Sequence, residues 1–363
     1  TIGDATGVVL FDGTFMLGNC CTVQAALLDP VTMTWKPTGS GKFDTNNEEG
    51  WTLLPNKQVL TVDAYVPINI PYIATGTNSE VYVPGSGKWH SAGSTIVQLW
   101  DSWQTCGELS EEPKMGPSFE LGPAVLRPDG TVFYTGSNTC GPGFPGHTAI
   151  YDSNTGTWRA GPDFPDSLNI SDGPAALEPN GKVLVMASPG FGPTPSTFLE
   201  WDGQQLTEAP AAPNAENDAS FYGNFLVLPT GQILFTDFFF VSIYTPPGSY
   251  NPAWAPTIQS APSTVTPGGS YQISGHLFNG MSQAAAYGDD AQSATNYPLV
   301  RITNNATGHV FYSRTHDHSS MAVGFNGRVS TRFDVPPTQE PGASQLVVIA
   351  NGIPSAPVAV WVN

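Results

Sequence analysis

One pattern recurs five times in this chain: an apolar strand, a tight turn and a second apolar strand. It reads GVVLFDGTFMLGN from Gly7, GWTLLPNKQVLTVDA from Gly50, GPAVLRPDGTVFYTG from Gly122, GPAALEPNGKVLVMA from Gly173 and GNFLVLPTGQILFTD from Gly223. The turn pairs are Asp12-Gly13, Asn56-Lys57, Asp129-Gly130, Asn180-Gly181 and Thr230-Gly231. Gly, Asn and Asp tolerate the positive φ of such turns, so each repeat predicts a hairpin. A further short strand follows each hairpin, with a tryptophan at or near its end: Trp35, Trp89, Trp158, Trp201 and Trp254. Three or four strands per unit of about 50 residues is the pattern of a propeller blade.

The repeat stops after Trp254. From there the chain reads APTIQSAPSTVTPGGSYQISG, a Pro-rich boundary and a new strand. The segments YQISGHLF, LVRITN, HVFYSRT, GRVSTRFDV, SQLVVIANG and PVAVWVN are short and alternating. Two domains are therefore expected: propeller blades over 1–255 and an immunoglobulin-like sandwich over 256–363.

Composition narrows the partners. With 12 Lys+Arg against 30 Asp+Glu the net charge is -18, which repels nucleic acid and anionic membranes. Among 363 residues, 39 Gly and 34 Pro with 12% charged residues favour strands and irregular turns over helices. No run of about 18 apolar residues predicts a membrane span. The first residues, TIGDATGVVL, show no signal peptide. Few charges and many aromatics suggest an exported protein, in which disulfides persist. A Cys106–Cys140 bridge is expected, while Cys20 and Cys21 either close a vicinal disulfide or remain two buried thiols.

The repeats resemble kelch motifs. Together with the last domain they are similar to the galactose oxidase and glyoxal oxidase group of propellers. YGDD at Tyr287, LVR at Leu299, Thr315-His316 and NGIPSAP at Asn351 carry that likeness at the C-terminal end. The resemblance covers almost the whole chain and implies seven blades, where five are visible. About two blades are thus expected upstream of Thr1, and a partner fragment supplying them would complete the ring.

The resemblance also implies a copper site on the propeller axis, made of two tyrosines, two histidines and a cysteine cross-linked to one tyrosine. Its propeller residues begin innermost strands, eight residues before the hairpin turn. That register falls here on Asp4, Glu48, Leu121, Asp172 and Tyr222, with Glu120 and Glu49 adjoining. The Tyr-His pair of the group falls on Phe221-Tyr222, and no cysteine occupies the register, so copper is not expected. His316 matches the one ligand that the C-terminal domain supplies.

The expected axial mouth is therefore acidic: Asp4, Glu48, Glu120, Asp172, Tyr222 and His316. Crowded carboxylates raise one another's pKa unless a cation neutralises them, and such hard oxygens suit Ca²⁺. In RTHDHSSM, period-two alternation would place His316 and His318 on one face, a pair able to hold a transition metal such as Zn²⁺. The alternative is that the acids cap strand ends.

Glu49 and Trp51 in EEGW, with Trp100 and Trp103 in LWDSW, place aromatics beside carboxylates. Such pairs bind sugars by stacking and hydroxyl bonds, or else pack between blades. Asp289 and Asp290 in YGDDAQ are further carboxylates, read chiefly as an exposed turn. The reading is an exported binding protein directed at carbohydrate or another neutral ligand. The alternatives are a copper oxidase of sugars or aldehydes, a carboxylate-based carbohydrate-cleaving enzyme, and a structural component of an extracellular assembly.

Overall fold

The computed structural model describes residues 4–64, 76–101, 120–138, 144–190, 194–288 and 297–363. Trp103, Cys106, Cys140, Asp289 and Asp290 lie outside them. The protein is all-β in its extended elements, with five antiparallel sheets in propeller-blade order followed by one curled sheet.

Blade 1 is β1 (Gly7–Val9), β2 (Phe15–Gly18), β3 (Ala25–Asp29) and β4 (Thr34–Thr38). Blade 2 is β5 (Thr52–Leu53), β6 (Val59–Val62), β7 (Asn78–Val83) and β8 (Lys88–Ser94). Blade 3 is β9 (Leu121–Leu126), β10 (Thr131–Gly136), β11 (Thr148–Asp152) and β12 (Thr157–Ala160). Blade 4 is β13 (Ala175–Leu177), β14 (Val183–Ala187), β15 (Thr197–Trp201) and β16 (Leu206–Glu208). Blade 5 has three strands, β17 (Asn224–Val227), β18 (Ile233–Thr236) and β19 (Val241–Tyr244).

The five expected hairpins form by one local device. Gly13, Lys57, Gly130, Gly181 and Gly231 all take positive φ, between 73° and 90°. Each donates its amide to the residue three back, as Gly13 does to Leu10 O at 3.0 Å. In four turns the preceding Asx side chain accepts an amide two residues on, from Asp12 (3.0 Å to Thr14 N) to Asn180 (2.8 Å to Lys182 N). Lys57 adopts the left-handed conformation without being glycine, and its ammonium lies 4.8 Å from the Phe11 ring.

Innermost strands of consecutive blades lie side by side, β1 with β5, β5 with β9, β9 with β13 and β13 with β17. Apolar side chains fill the spaces between blades. One core joins blades 1, 2 and 3, another blades 3 and 4, and a third blades 4 and 5. Trp201, at the end of β15, takes part: it stacks on Phe133 of blade 3 at 4.9 Å and 12°.

The C-terminal sheet runs in the order β20 (Thr257–Ser260), β22 (Ser270–His276), β26 (Val329–Asp334), β25 (Val310–His316), β24 (Leu299–Asn304), β27 (Gly342–Ala350), β29 (Val358–Val362) and β21 (Thr264–Val265), with β28 (Ile353–Pro354) on β27. β25 turns the corner, pairing with β24 through Val310–Ser313 and with β26 through Arg314–His316. The sheet thereby curls over one core that includes Ile273, Val300, Phe333, Leu346 and Val360.

This sheet sits at the turn side of the blades. Met321 donates its amide to Phe11 O at 2.7 Å, and Gly352 packs on Gly231. From it one segment enters the propeller axis. Asn351 holds the entry, its Oδ1 accepting from Met281 N (2.7 Å) and its Nδ2 donating to Ser282 O (2.9 Å). Leu53 N donates to Gln283 Oε1 at 3.1 Å, and β23 (Ala285–Ala286) pairs with the inner edge of β13. A cavity of about 140 Å³ remains between this segment and the inner strands of blades 1 to 3.

Cys20 and Cys21 are free thiols, so the vicinal disulfide is not formed. Cys20 is buried while Cys21 is exposed at φ 69°, so the two neighbours face different surroundings. Burial pushes the Cys20 thiol up to about 11, which keeps it protonated and unreactive. Among the described residues no helix is long and apolar enough to cross a membrane.

Candidate functional site at the strand-start mouth

The mouth opposite the curled sheet is where innermost strands begin. Asp4, Glu48, Asp172 and Tyr222 precede β1, β5, β13 and β17, and Glu120 precedes β9. Glu48 N donates to Asp4 O at 3.4 Å, which links blades 1 and 2. Glu48 and Asp172 both hold positive φ, 60° and 55°. Around Asp172 a hydroxyl network joins blades 3 to 5. Ser220 donates to Asp172 O at 2.9 Å, Ser188 donates to Ser220 Oγ at 3.1 Å, and Ser137 bonds Ser171.

The axial segment emerges here. Tyr287 donates its hydroxyl to Phe221 O at 2.7 Å. Gly288 lies so close to Asp172 that a Cβ would stand 2.2 Å from Oδ1 and 3.0 Å from Leu121 O. Only glycine fits that approach. The C-terminal part of the chain therefore reaches the mouth through Tyr287-Gly288, not through His316.

His316 ends β25 against β26, where Nε2 lies 3.1 Å from Asp334 Oδ1 and Nδ1 lies 3.1 Å from Asp317 Oδ2. That is the surface of the curled sheet, so the expected place of His316 in the axial mouth is corrected. The pairing of His316 with His318 fails too. Asp317 takes φ 51°, the strand stops, and alternation no longer applies. His318 Nδ1 meets Thr331 Oγ1 at 2.9 Å, and Thr331 and Asp334 are three apart on β26, on opposite faces. Burial, with the charge of His316, pushes His318 below its ordinary pKa.

Three expected ligand-binding residues are interior. Glu49 is 0%, Trp51 2% and Trp100 7% exposed. Trp51 packs on Trp89 at 5.5 Å, and Trp100 fills the space beside Gly76. Glu49 belongs to a buried charge nest. Its centre is Lys42 Nζ, bonded to Asp44, to Glu49 Oε2 at 3.2 Å, to Asp63 Oδ1 at 3.1 Å and to Glu80 Oε2 at 2.9 Å. Thr61 and Trp51 also donate to Glu49, at 2.9 and 3.3 Å, and Phe43 N donates to Glu80.

Burial opposes the charge on Lys42, but the pull of Glu49, Asp44, Asp63 and Glu80 lifts it well above the usual lysine range. Burial pushes Glu49 and Glu80 up to about 7, Asp63 adding and Lys42 opposing. Asp44 rises for the same first reason. Among the described residues, Asp44, Glu49 and Asp63 form the one carboxylate group with ligand atoms close enough to chelate, within 4.8 Å. The Lys42 ammonium already bonds all three.

A second carboxylate group stands under the mouth at blade 5. Asp237 follows β18, and its Oδ1 accepts the amides of Phe239 and Phe240, both at 2.6 Å. Asp218 lies against it and receives Asn214 Nδ2 at 3.1 Å. Burial pushes Asp218 up to about 6, helped by the charge of Asp237 and a hydrogen bond between the two carboxyls. Burial also opposes charge on Asp237, but the two amides hold it below the usual range.

The turn so held carries Phe238, Phe239 and Phe240, which are 71%, 77% and 53% exposed. Phe238 contacts Tyr222 at 5.2 Å, and Tyr222 contacts Phe221 at 4.3 Å, edge to face. The mouth thus offers an aromatic wall beside carboxylates and hydroxyls. The run DFFF directly after an apolar strand was the visible signal for it. No comparable local signal marks Lys42, because its partners come from positions up to 80 in the chain.

No family model matches this chain, and no curated protein matches it. Solved structures do. Streptogramin B lyase aligns over 92% of this chain and 95% of its own at 11% identity and TM-score 0.40. YjhT aligns over 67% and 83% at 12% identity and TM-score 0.41. A polysaccharide lyase, the PL25 ulvan lyase, aligns over 96% and 77% at 9% identity and TM-score 0.39. With TM-scores this low, the site's chemistry rests on the residues described above and on nothing carried over from these structures.

Proposed function

We propose that this is an exported protein that binds carbohydrate at the strand-start mouth. One observation carries the reading: three consecutive exposed phenylalanines sit on the turn that Asp237 holds, and Phe238 contacts Tyr222 at the mouth. Aromatic faces stack on the apolar faces of sugar rings, while hydroxyls and carboxylates take their polar rims. A chain of net charge -18 favours a neutral glycan over an anionic one.

Binding is favoured over cleavage. Glycosidases place two carboxyls about 5–10 Å apart on either side of the scissile bond. Asp218 and Asp237 instead lie against each other, the charge of Asp237 raising Asp218, and Asp237 shapes the turn. The kelch-type, galactose-oxidase-like reading belongs to the same proposal as an architectural one. Two motifs that suggested it, YGDD and NGIPSAP, supply Tyr287-Gly288 of the axial segment and Asn351, which holds its entry.

The test is a glycan array followed by calorimetric titration of neutral oligosaccharides. Tyr222→Ala and Phe239→Ala are expected to weaken binding about tenfold each, about 1.4 kcal/mol. An array without hits, or hits indifferent to both substitutions, would overturn the proposal.

A further inference from the structure

The charge of the chain is unevenly divided. From residue 256 onward five Asp+Glu stand against four Arg, so this part accounts for only -1 of the net -18. Three of those arginines sit close together on the curled sheet: Arg314 on β25, Arg332 on β26 and Arg328 just before β26. Among the described residues none of the three pairs with a carboxylate, in a chain that holds 30 Asp+Glu. Asp334 and Asp317 lie against His316 instead, each 3.1 Å from a ring nitrogen.

Register gathers serines on the outer face of the same sheet. Ser260 of β20 is opposite Ser274 of β22, and Ser274 is opposite Ser330 of β26. Alternation turns Ile273 and Val329 into the core, so Ser274 and Ser330 face outward. Ser319 extends the row, donating its amide to Ser330 O at 2.9 Å. Together with Gln272 and Arg328 these serines line a groove of about 380 Å³. Small-ligand sites occupy about 300–1,000 Å³.

The hydroxyls are oriented. Ser274 Oγ accepts from Arg328 Nη2 at 3.0 Å, Ser330 Oγ from Gln272 Nε2 at 3.4 Å, and Ser319 Oγ from Ser330 N at 2.8 Å. None of the three donates to another group among the described residues. Each therefore keeps its proton for whatever enters the groove. No carboxylate is among the residues lining it, which leaves nothing there to hold a cation.

We propose that this groove binds the tetrahedral oxyanion of a small ligand, a sulfate or phosphate monoester. The site is separate from the mouth, which lies on the other side of the molecule. Such a group only accepts hydrogen bonds and presents three terminal oxygens, which suits three hydroxyl donors beside a guanidinium. A carboxylate presents two. A long polyanion would run onto the acidic propeller, whereas a single ester is held within the screening length of Arg328.

Calorimetric titration of the full chain at low salt tests this, with glucose 6-sulfate, glucose 6-phosphate and glucuronate as probes. One or both monoesters are expected to bind saturably, and the preferred one identifies the ester. Glucuronate is expected to bind about fivefold more weakly. Arg328→Gln should weaken monoester binding about tenfold, as loss of a charged hydrogen bond does. The double variant Ser274→Ala, Ser330→Ala should weaken it several-fold. Arg301→Gln removes the same charge elsewhere on the domain and should bind as the parent does. Circular dichroism checks that each variant folds. The proposal is overturned if neither monoester binds, if glucuronate binds as tightly, or if Arg301→Gln loses as much affinity as Arg328→Gln.

Discussion

Two carboxylate groups lie under one mouth, and they are neutralised in opposite ways. In blade 2 four carboxylates surround the Lys42 ammonium, and nearly all of the nest is closed to water. In blade 5 no cation pairs with Asp218 or Asp237 among the described residues, and burial with the neighbouring charge of Asp237 raises Asp218 instead. The first arrangement spends its charge internally and holds blades together. The second leaves a turn of exposed aromatics beside it. A buried acid near a mouth is thus not evidence of a ligand site. What it holds outward decides.

Four perturbations would break or sharpen that contrast. The largest effect is expected from Lys42→Met, which strands four buried carboxylates. Loss of one member of such a nest costs about 3–5 kcal/mol, read as a fall in the urea midpoint. Adding Glu49→Gln to that variant should recover part of the loss. A Lys42→Met protein of unchanged stability would mean the nest is not closed. Next comes Tyr222→Ala, with its tenfold loss of glycan affinity, about 1.4 kcal/mol, at an unchanged thermal midpoint. An equal fall in stability would recast the aromatic wall as packing.

The pH response is third. Glu49, Glu80 and Glu178 titrate at about 7 in the folded chain and Asp218 at about 6, all above their ordinary values. The folded state therefore binds more protons than the unfolded one between those limits. Its stability is fully present below the unfolded values and is lost as pH rises to about 7. His318, shifted down, opposes this slightly near its own ordinary value. The thermal midpoint should fall from pH 5 to pH 7.5 and fall less in Glu49→Gln, and a midpoint rising over that range would contradict the raised values. The smallest effect is expected from Asp218→Asn. It removes a carboxyl that ionises reluctantly and should raise the midpoint at pH 7.5 by roughly 2 °C. A glycan affinity independent of pH in this variant, but not in the parent, would tie the pair to the aromatic turn.

The repeating hairpins were legible because their cause is local. Three of the five turn pairs are Asx-Gly, and all five turns, with Asn56-Lys57 and Thr230-Gly231 between the same kind of apolar runs, share the positive φ and the amide bond three residues back. β20, the first strand of the curled sheet in chain order, starts at Thr257. The site was less so. His316 looked axial because of two letters, Thr-His, but a single positive φ at Asp317 ends its strand on another surface. Glu49 and Trp51 looked like a sugar platform, yet Lys42, Asp63 and Glu80 converge on them from elsewhere in blades 1 and 2. Tertiary convergence of that kind leaves no periodicity to read. Phe238 to Phe240 were in plain view, and their value as an exposed wall depends on Asp237 turning the chain there.

The axial segment imposes an order in time. The blades are synthesised before residues 281–288, so the inner edge of β13 must wait, unpaired, until β23 arrives. Until then the nascent hub is a socket with an open strand edge and a small-residue wall of Ala175 and Ala176. The C-terminal sheet is accordingly not a passenger. It carries the peg that finishes the ring's interior, and a ribosome that stops early leaves behind a chain whose centre is still adhesive.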